Sequence, residues 1–337
     1  MALMNENIKK IAIVRLSALG DIVNSAIVLQ FVKEKHPQSE IDWITEEVFA
    51  PLLENHPLIN RVHTVNLKKL KRERSFKLLK ETIKKLRSLG PYDIVIDMQG
   101  LIKSAVVARL LGANVHGFDK NSTRESLASL FYETSSSVPY ETPVVKRNCF
   151  VVGDALGFVI TDEMVLNKEP IFPVRENFEL RSDKKNIAIA IGASWDSKIY
   201  PKELIVEICE ELREQCYIIW GGEDERASAE WICERSEHAS LAPKLELPEL
   251  VSFISFMDLL IGNDTGPTHI AWAQNIPSIT LLGPTTTRMI CETPKNIGIK
   301  SPSKVNILKI DKNDFSIKNI HFERIVKIAK ELLSHGL

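Results

Sequence analysis

The chain has 337 residues, enough for two domains, and is 44% apolar and 26% charged. Those values exclude a disordered, collagenous or low-complexity chain. With 43 basic against 44 acidic residues the net charge is −1, which excludes a generally basic nucleic-acid binder.

The segment Met1 to Lys10 is polar and does not read as a secretory leader. IAIVRL (11–16) reads as a buried strand, followed by a helix from Gly20 that stops at Pro37. IDWIT (41–45) and RVHTVNL (61–67) are further strands, and one long basic helix runs on to about Gly90. YDIVIDMQG (92–100) is a strand and LIKSAVVARLLGA (101–113) a helix. The stretch 161–185 is charged and proline-broken and reads as a linker. A second alternation then begins: strands in 186–194, 216–222, 257–264 and 277–285, with helices in 201–215, 223–236, 248–257 and 265–275. The tail, 319–337, is one amphipathic helix. Strand–helix alternation on this scale predicts parallel sheets, and hence an α/β fold of two Rossmann-like domains facing one another. The domains are 1–160 and 186–318, with ligands beyond the carboxyl ends of the strands.

Four stretches carry candidate chemistry. RLSALGDI (15–22) follows the first strand, and Asp21 starts its helix; position alone leaves open whether Asp21 only caps it. GNDTGPTHIAWA (262–273) puts a helix N-terminus after a strand, with Asp264 as its cap, Gly266 allowing close approach and His269 one turn in. Such a terminus accepts a phosphate. GASWDSKIYP (192–201) sets Lys198 in a loop on the same sheet edge, within reach of a pyrophosphate, and the acids of WGGEDER (220–226) can serve a ribose or simply open a helix. Eleven basic residues between Arg61 and Ser88 meet only Glu73 and Glu81. That imbalance favours an anionic partner such as a lipid head group over a merely solvated helix face.

Other chemistries lack their residues. There is no G-x-G-x-x-G after the first strand and no G-x-x-x-x-G-K-[ST], so neither a dinucleotide cofactor nor a P-loop is expected. No D-x-D pair or His-rich cluster suggests a metal, and no cofactor is expected. Cys149, Cys209, Cys216, Cys233 and Cys291 show no C-x-x-C spacing and read as reduced thiols of a cytosolic protein. The longest uncharged stretch, Thr265 to Thr287, holds three prolines and is no membrane span.

RLSALGD and NDTGPTH resemble the bacterial heptosyltransferases of glycosyltransferase family 9, inverting enzymes of the two-Rossmann GT-B architecture. YDIVIDMQGLIKSA (92–105) and HGFDKNSTRESLASLFY (116–132) are similar to the branch that adds the first heptose to Kdo (3-deoxy-octulosonic acid) on lipid A. The resemblance implies Asp21 as catalytic base and Lys198 on the donor phosphates. Asp264, Thr265, Gly266 and His269 match the donor-binding D-T-G-x-x-H motif. It implies Glu223, with Glu225 as a competing alignment, on the ribose and Leu245 at the adenine. Lys68, Lys69, Lys71, Arg72 and Arg124 match residues that hold the acceptor. Ala193-Ser194 stands where the family often has a Thr pair, leaving Ser194 as the one hydroxyl contact. The implied partners are ADP-heptose and Kdo-lipid A, with no metal and no nucleic acid. The implied setting is a monomer in peripheral contact with the anionic cytoplasmic face of the inner membrane. Rival readings are a second-type heptosyltransferase with another acceptor, a nucleotide-sugar binder without turnover, and an epimerase of the same fold.

Overall fold

The computed structural model describes residues 8–112 and 114–334, and the chain divides between Lys168 and Glu169 into two compact units. The expected polar start at 1–7, the helix end at Ala113 and the last residues of the tail helix, 335–337, lie outside the described residues.

The first unit runs β1 (Lys10–Val14), α1 (Leu19–Ala26), α2 (Val28–Lys35), β2 (Glu40–Glu46), α3 (Ala50–Leu53), β3 (Arg61–Val65), α4 (Leu67–Glu73), α5 (Phe76–Arg87), β4 (Ile94–Asp97), α6 (Ile102–Leu110), β5 (Asn114–Phe118), a 3-10 turn over Ser126–Phe131, β6 (Thr134–Ser136), α7 (Val144–Leu156) and α8 (Asp162–Leu166). Its strands form one parallel sheet in the order β3-β2-β1-β4-β5-β6. The central β1 is buried from Ile11 to Val14, as an apolar run covered on both faces requires.

Two expected helices are each broken in two. The 20–36 segment turns at Ile27, between α1 and α2. Within α1, the Ser25 hydroxyl donates to the Asp21 carbonyl at 2.7 Å, a back-bond of the kind that bends helices. The basic stretch breaks at Arg74, whose φ of +48° is left-handed. Ser75 then caps α5 by accepting from the Leu78 amide at 3.3 Å, so local caps outcompete a continuous helix.

The second unit runs β7 (Asn186–Ala190), a 3-10 turn over Asp196–Lys198, α9 (Lys202–Leu212), β8 (Gln215–Ile219), α10 (Glu223–Cys233), β9 (Ala239–Leu241), α11 (Leu247–Ser255), β10 (Leu259–Asn263), α12 (Gly266–Ala273), β11 (Ser278–Leu282), β12 (Asn296–Lys300) and α13 (Phe322–Ser334). Its parallel sheet has the order β12-β11-β10-β7-β8-β9. The C-terminal helix α13 packs Ile325, Val326 and Ala329 into this unit's core. Within 161–185, Ile171 donates its amide to the Ala273 carbonyl at 3.0 Å and Phe172 exchanges bonds with the Gln274 amide group at 2.9 Å, so this stretch is docked on the second unit after α8.

Both sheets reverse direction beside their first strand: β1 lies between β2 and β4, and β7 between β8 and β10. The connections from the adjacent strands there leave toward opposite faces and open a crevice at the carboxyl ends, where open α/β sheets bind ligands.

Candidate functional site

In the second unit the loops after β7 and β10 bring three of the singled-out residues together. Lys198 Nζ lies 2.9 Å from Asp264 Oδ2, and His269 Nε2 lies 3.3 Å from Asp264 Oδ1; all three side chains are buried. Burial alone would raise the Asp264 carboxyl, but the hydrogen bond from His269 and the Lys198 charge outweigh it and hold it well below the usual carboxylate range. Asp264 is thus an ion-pair partner and not the expected helix cap. Thr265, extended at φ −153°, is the residue before α12, and Gly266 opens the helix. Lys198 lies in the turn Asp196–Lys198 on the loop after β7, and its side chain is buried.

The neighbouring loop, after β8, separates the two candidate ribose acids. Glu225 accepts from the Gly221 amide at 2.7 Å, and its carboxylate occupies the space that a Cβ on Gly192 would need. Glu223, the first residue of α10, is exposed. Ser194 is exposed in the loop after β7, and Leu245 is half-buried just before α11.

Three polar groups escaped the sequence reading. The buried Trp195 indole nitrogen and the Ser197 and Thr285 hydroxyls have no hydrogen-bond partner among the described residues. Ser197 sits one residue before Lys198, and its carbonyl lies against Gly283, two residues before Thr285. The Trp195 ring centroid lies 5.0 Å from the Lys198 ammonium, and each of the three groups is able to donate a hydrogen bond. The only signal for Thr285 was its place in GPTTT after a strand.

In the first unit Asp21 is the third residue of α1. Its Oδ1 lies 2.9 Å from Arg15 Nη2, with Arg15 buried and Asp21 about a quarter exposed. Its Oδ2 accepts from the Ala18 amide at 3.2 Å. Arg15 also donates to the Met98 carbonyl, tying Asp21 to the turn after β4. Asp97 pins that turn: it accepts from the Gln99 and Gly100 amides at 2.9 and 3.3 Å, the Ser104 hydroxyl at 2.8 Å and the Tyr132 hydroxyl at 2.7 Å. Burial nevertheless pushes its carboxyl above the ordinary range.

Lys68, Lys69, Lys71 and Arg72 are exposed on α4, and Arg124 is exposed ahead of the Ser126–Phe131 turn. Glu46, at the end of β2, anchors α4 by accepting from the Leu67 amide at 3.2 Å. Asn66 caps it, accepting from the Lys69 amide at 2.9 Å. Burial raises the Glu46 carboxyl, partly offset by the nearby charges of Lys103 and Lys68. Lys103, which the sequence reading did not single out, places Nζ 3.1 Å from the Ser17 hydroxyl. Among the described residues, no group of three or more His, Cys, Asp or Glu side chains is placed to hold a metal ion.

Comparison with known proteins gives concordant results. Residues 79–313 match the model of glycosyltransferase family 9 (heptosyltransferase). Lipopolysaccharide heptosyltransferase 1 of Campylobacter coli is 39% identical over 96% of this chain and 98% of its own length. The Escherichia coli K12 protein of the same name is 26% identical over 90% and 96%. The structure of E. coli heptosyltransferase WaaC with ADP-2-deoxy-2-fluoro heptose superposes with a TM-score of 0.78 at 23% identity, covering 96% of this chain and 99% of that one. At that identity the superposition speaks for the two-domain GT-B fold alone.

Proposed function

This chain belongs to glycosyltransferase family 9, the heptosyltransferases, and from that premise we propose that it transfers heptose from ADP-heptose to the Kdo of lipid A, in the lipopolysaccharide inner core. The observation that carries this reading is the full-length similarity to a type 1 heptosyltransferase.

The residues suit the chemistry. A sugar hydroxyl is a poor nucleophile and needs a base as it attacks; Asp21, held by Arg15 with part of its carboxylate exposed, is that base. Attack opposite the leaving group inverts the anomeric centre, as in the base half of inverting glycoside hydrolysis. The departing ADP gains negative charge, which Lys198, the N-terminus of α12 at Thr265 and Gly266, and the Ser197 and Thr285 hydroxyls stabilise without a metal. Asp264 and His269 fix the Lys198 ammonium. Ser194 meets the phosphates, Leu245 lines the adenine pocket, and Glu223 or Glu225 takes the ribose hydroxyls. Glu225, whose carboxylate lies against Gly192 at the strand end, suits that role better than the exposed Glu223.

The second unit therefore takes the donor and the first the acceptor, through Lys68, Lys69, Lys71, Arg72 and Arg124. Kdo carries a carboxylate and lipid A carries phosphates, so a cationic helix suits both. Among the described residues no helix is long and apolar enough to cross a membrane. A lipid-linked acceptor then calls for peripheral contact with the anionic cytoplasmic face of the inner membrane, by a monomer.

The test is ADP release from ADP-heptose with and without Kdo-lipid A. Release that depends on the acceptor supports transfer. Release without acceptor indicates epimerase-like cleavage, and no release leaves a binder.

A further inference from the structure

A lipid-linked acceptor requires the enzyme to meet a membrane, and one face of the first unit has the composition to do so. Helices α5 and α6 lie in one layer on the sheet, since Leu86 of α5 and Val107 and Ala108 of α6 share a core cluster with Val14, Val95 and Val115. The Ser126–Phe131 turn packs along α6. Away from the sheet these three elements hold apolar side chains in solvent. Phe76 is 88% exposed, Leu130 78% and Leu127 60%, and Leu79, Ile102 and Val106 are exposed as well. On α6 the exposed Ile102 and Val106 are four residues apart and so share one face. On α5 Leu86 is buried and Leu78, Thr82 and Ile83 are half-buried, while Phe76 and Leu79, in the helix's first turn, are exposed together with Lys77, Lys80 and Lys84.

A clustered set of exposed large apolar residues marks an interaction surface. Its charge selects the partner. The centre of a protein–protein interface is depleted in lysine, whereas lysines interleave the apolar residues of α5. A cationic helix with an aromatic on its exposed flank is the pattern of a segment lying in the plane of a membrane interface.

We propose that α5, α6 and the Ser126–Phe131 turn form the face on which this chain rests on an anionic phospholipid surface. Phe76 and Leu130 enter the head-group boundary, and Lys77, Lys80 and Lys84 meet lipid phosphates. This inference rests on the reading of a lipid-linked acceptor and names the face that reading leaves open.

Co-sedimentation of the full chain with vesicles tests it, using phosphatidylcholine alone against phosphatidylcholine mixed with phosphatidylglycerol. The wild type should bind the mixed vesicles and release from them as salt rises. Phe76→Ser with Leu130→Ser should weaken binding by at least about tenfold. Lys77→Ser, Lys80→Ser and Lys84→Ser together should cost roughly fivefold per lysine. Both variants should melt as the wild type does and keep its kcat on a deacylated, water-soluble Kdo acceptor. A wild type that ignores mixed vesicles, or variants that bind them unchanged, would overturn the proposal. So would a wild-type dimer that Phe76→Ser with Leu130→Ser converts to monomer in sedimentation velocity, since the patch would then join two copies. Vesicle binding that depends on these residues without any acceptor-dependent ADP release would sink the transferase reading and leave the membrane face standing.

Discussion

Lys198 and Asp264 come from loops 66 residues apart, yet the ammonium nitrogen lies 2.9 Å from the carboxylate oxygen with both side chains buried. The parallel pairing of β7 with β10 makes this meeting possible. A buried pair of this kind adds little stability over an apolar pair of the same size, but removing one partner strands a charge. Lys198→Ala should therefore cost about 3 kcal/mol of folding stability in urea denaturation. Lys198→Met with Asp264→Leu should recover most of that loss. Neither variant should recover donor binding, because a charge-assisted contact to the diphosphate is worth about 1.5–3 kcal/mol. Wild-type affinity for ADP in the double variant, by titration calorimetry, would remove Lys198 from the donor site.

The same carboxylate sets a pH dependence. Asp264 sits below its ordinary range in the folded chain, while in the unfolded chain it titrates near pH 3.9. The unfolded state binds the proton first on acidification, so the pair's contribution is complete above about pH 5 and drains away as pH falls through the unfolded value toward the folded one. The urea-unfolding free energy of the wild type should fall more steeply between about pH 5 and pH 3 than that of Asp264→Asn. Parallel slopes in the two proteins would mean that this carboxylate carries no such linkage.

The α4 lysines are solvent-exposed, so their loss should be felt by the acceptor and hardly by the fold. Replacing Lys68, Lys69 and Lys71 by Ala should change stability by no more than about 0.5 kcal/mol. The acceptor KM should rise and lose salt dependence while ADP-heptose affinity stays put. If stability alone moved, α4 would be an ordinary solvated helix.

Transfer should also persist in EDTA, because Lys198 and the α12 N-terminus supply the positive charge that the leaving diphosphate needs. Activity that vanished with chelator and returned with Mg²⁺ or Mn²⁺ would point to a metal bound with the substrate.

The central strands were legible because a parallel strand covered on both faces must be an unbroken apolar run, as in IAIV and NIAIA. The peripheral β5, β6, β9 and β12 were not named: NVHGF, TSS, ASL and NIGIK carry polar residues or glycine and are short. Helix breaks at Ile27 and Arg74 depend on a Ser back-bond and on local caps, which leave the apolar spacing intact and so escape a periodicity reading. Asp264 was read as a cap because Asp before a helix is usually one. Its pairing with Lys198 is a property of strand order, not of neighbouring letters. Ser197 and Thr285 were missed for a related reason, since a small hydroxyl residue has no pattern until a fold buries it.

Arg15 changes what a substitution at Asp21 can reveal. Asp21 does two local jobs in the structure, accepting from the Ala18 amide and pairing with the buried Arg15 guanidinium. Asparagine keeps one oxygen and puts an NH2 where the other was, so it loses the charge and leaves one of the two donors without its acceptor; Asp21→Asn should therefore cost about 1–3 kcal/mol of stability. A base that takes the proton of the attacking hydroxyl is worth far more to the rate, about 10²–10⁴-fold. ADP-heptose affinity reports on the second unit and should not move. The three readings together separate the roles: a folded variant with wild-type donor affinity and kcat down at least about a hundredfold identifies Asp21 as the base. A folded variant that keeps most of its kcat reduces Asp21 to an anchor for α1 and Arg15, and the base must then be sought among the other groups at the ends of β1 and β4.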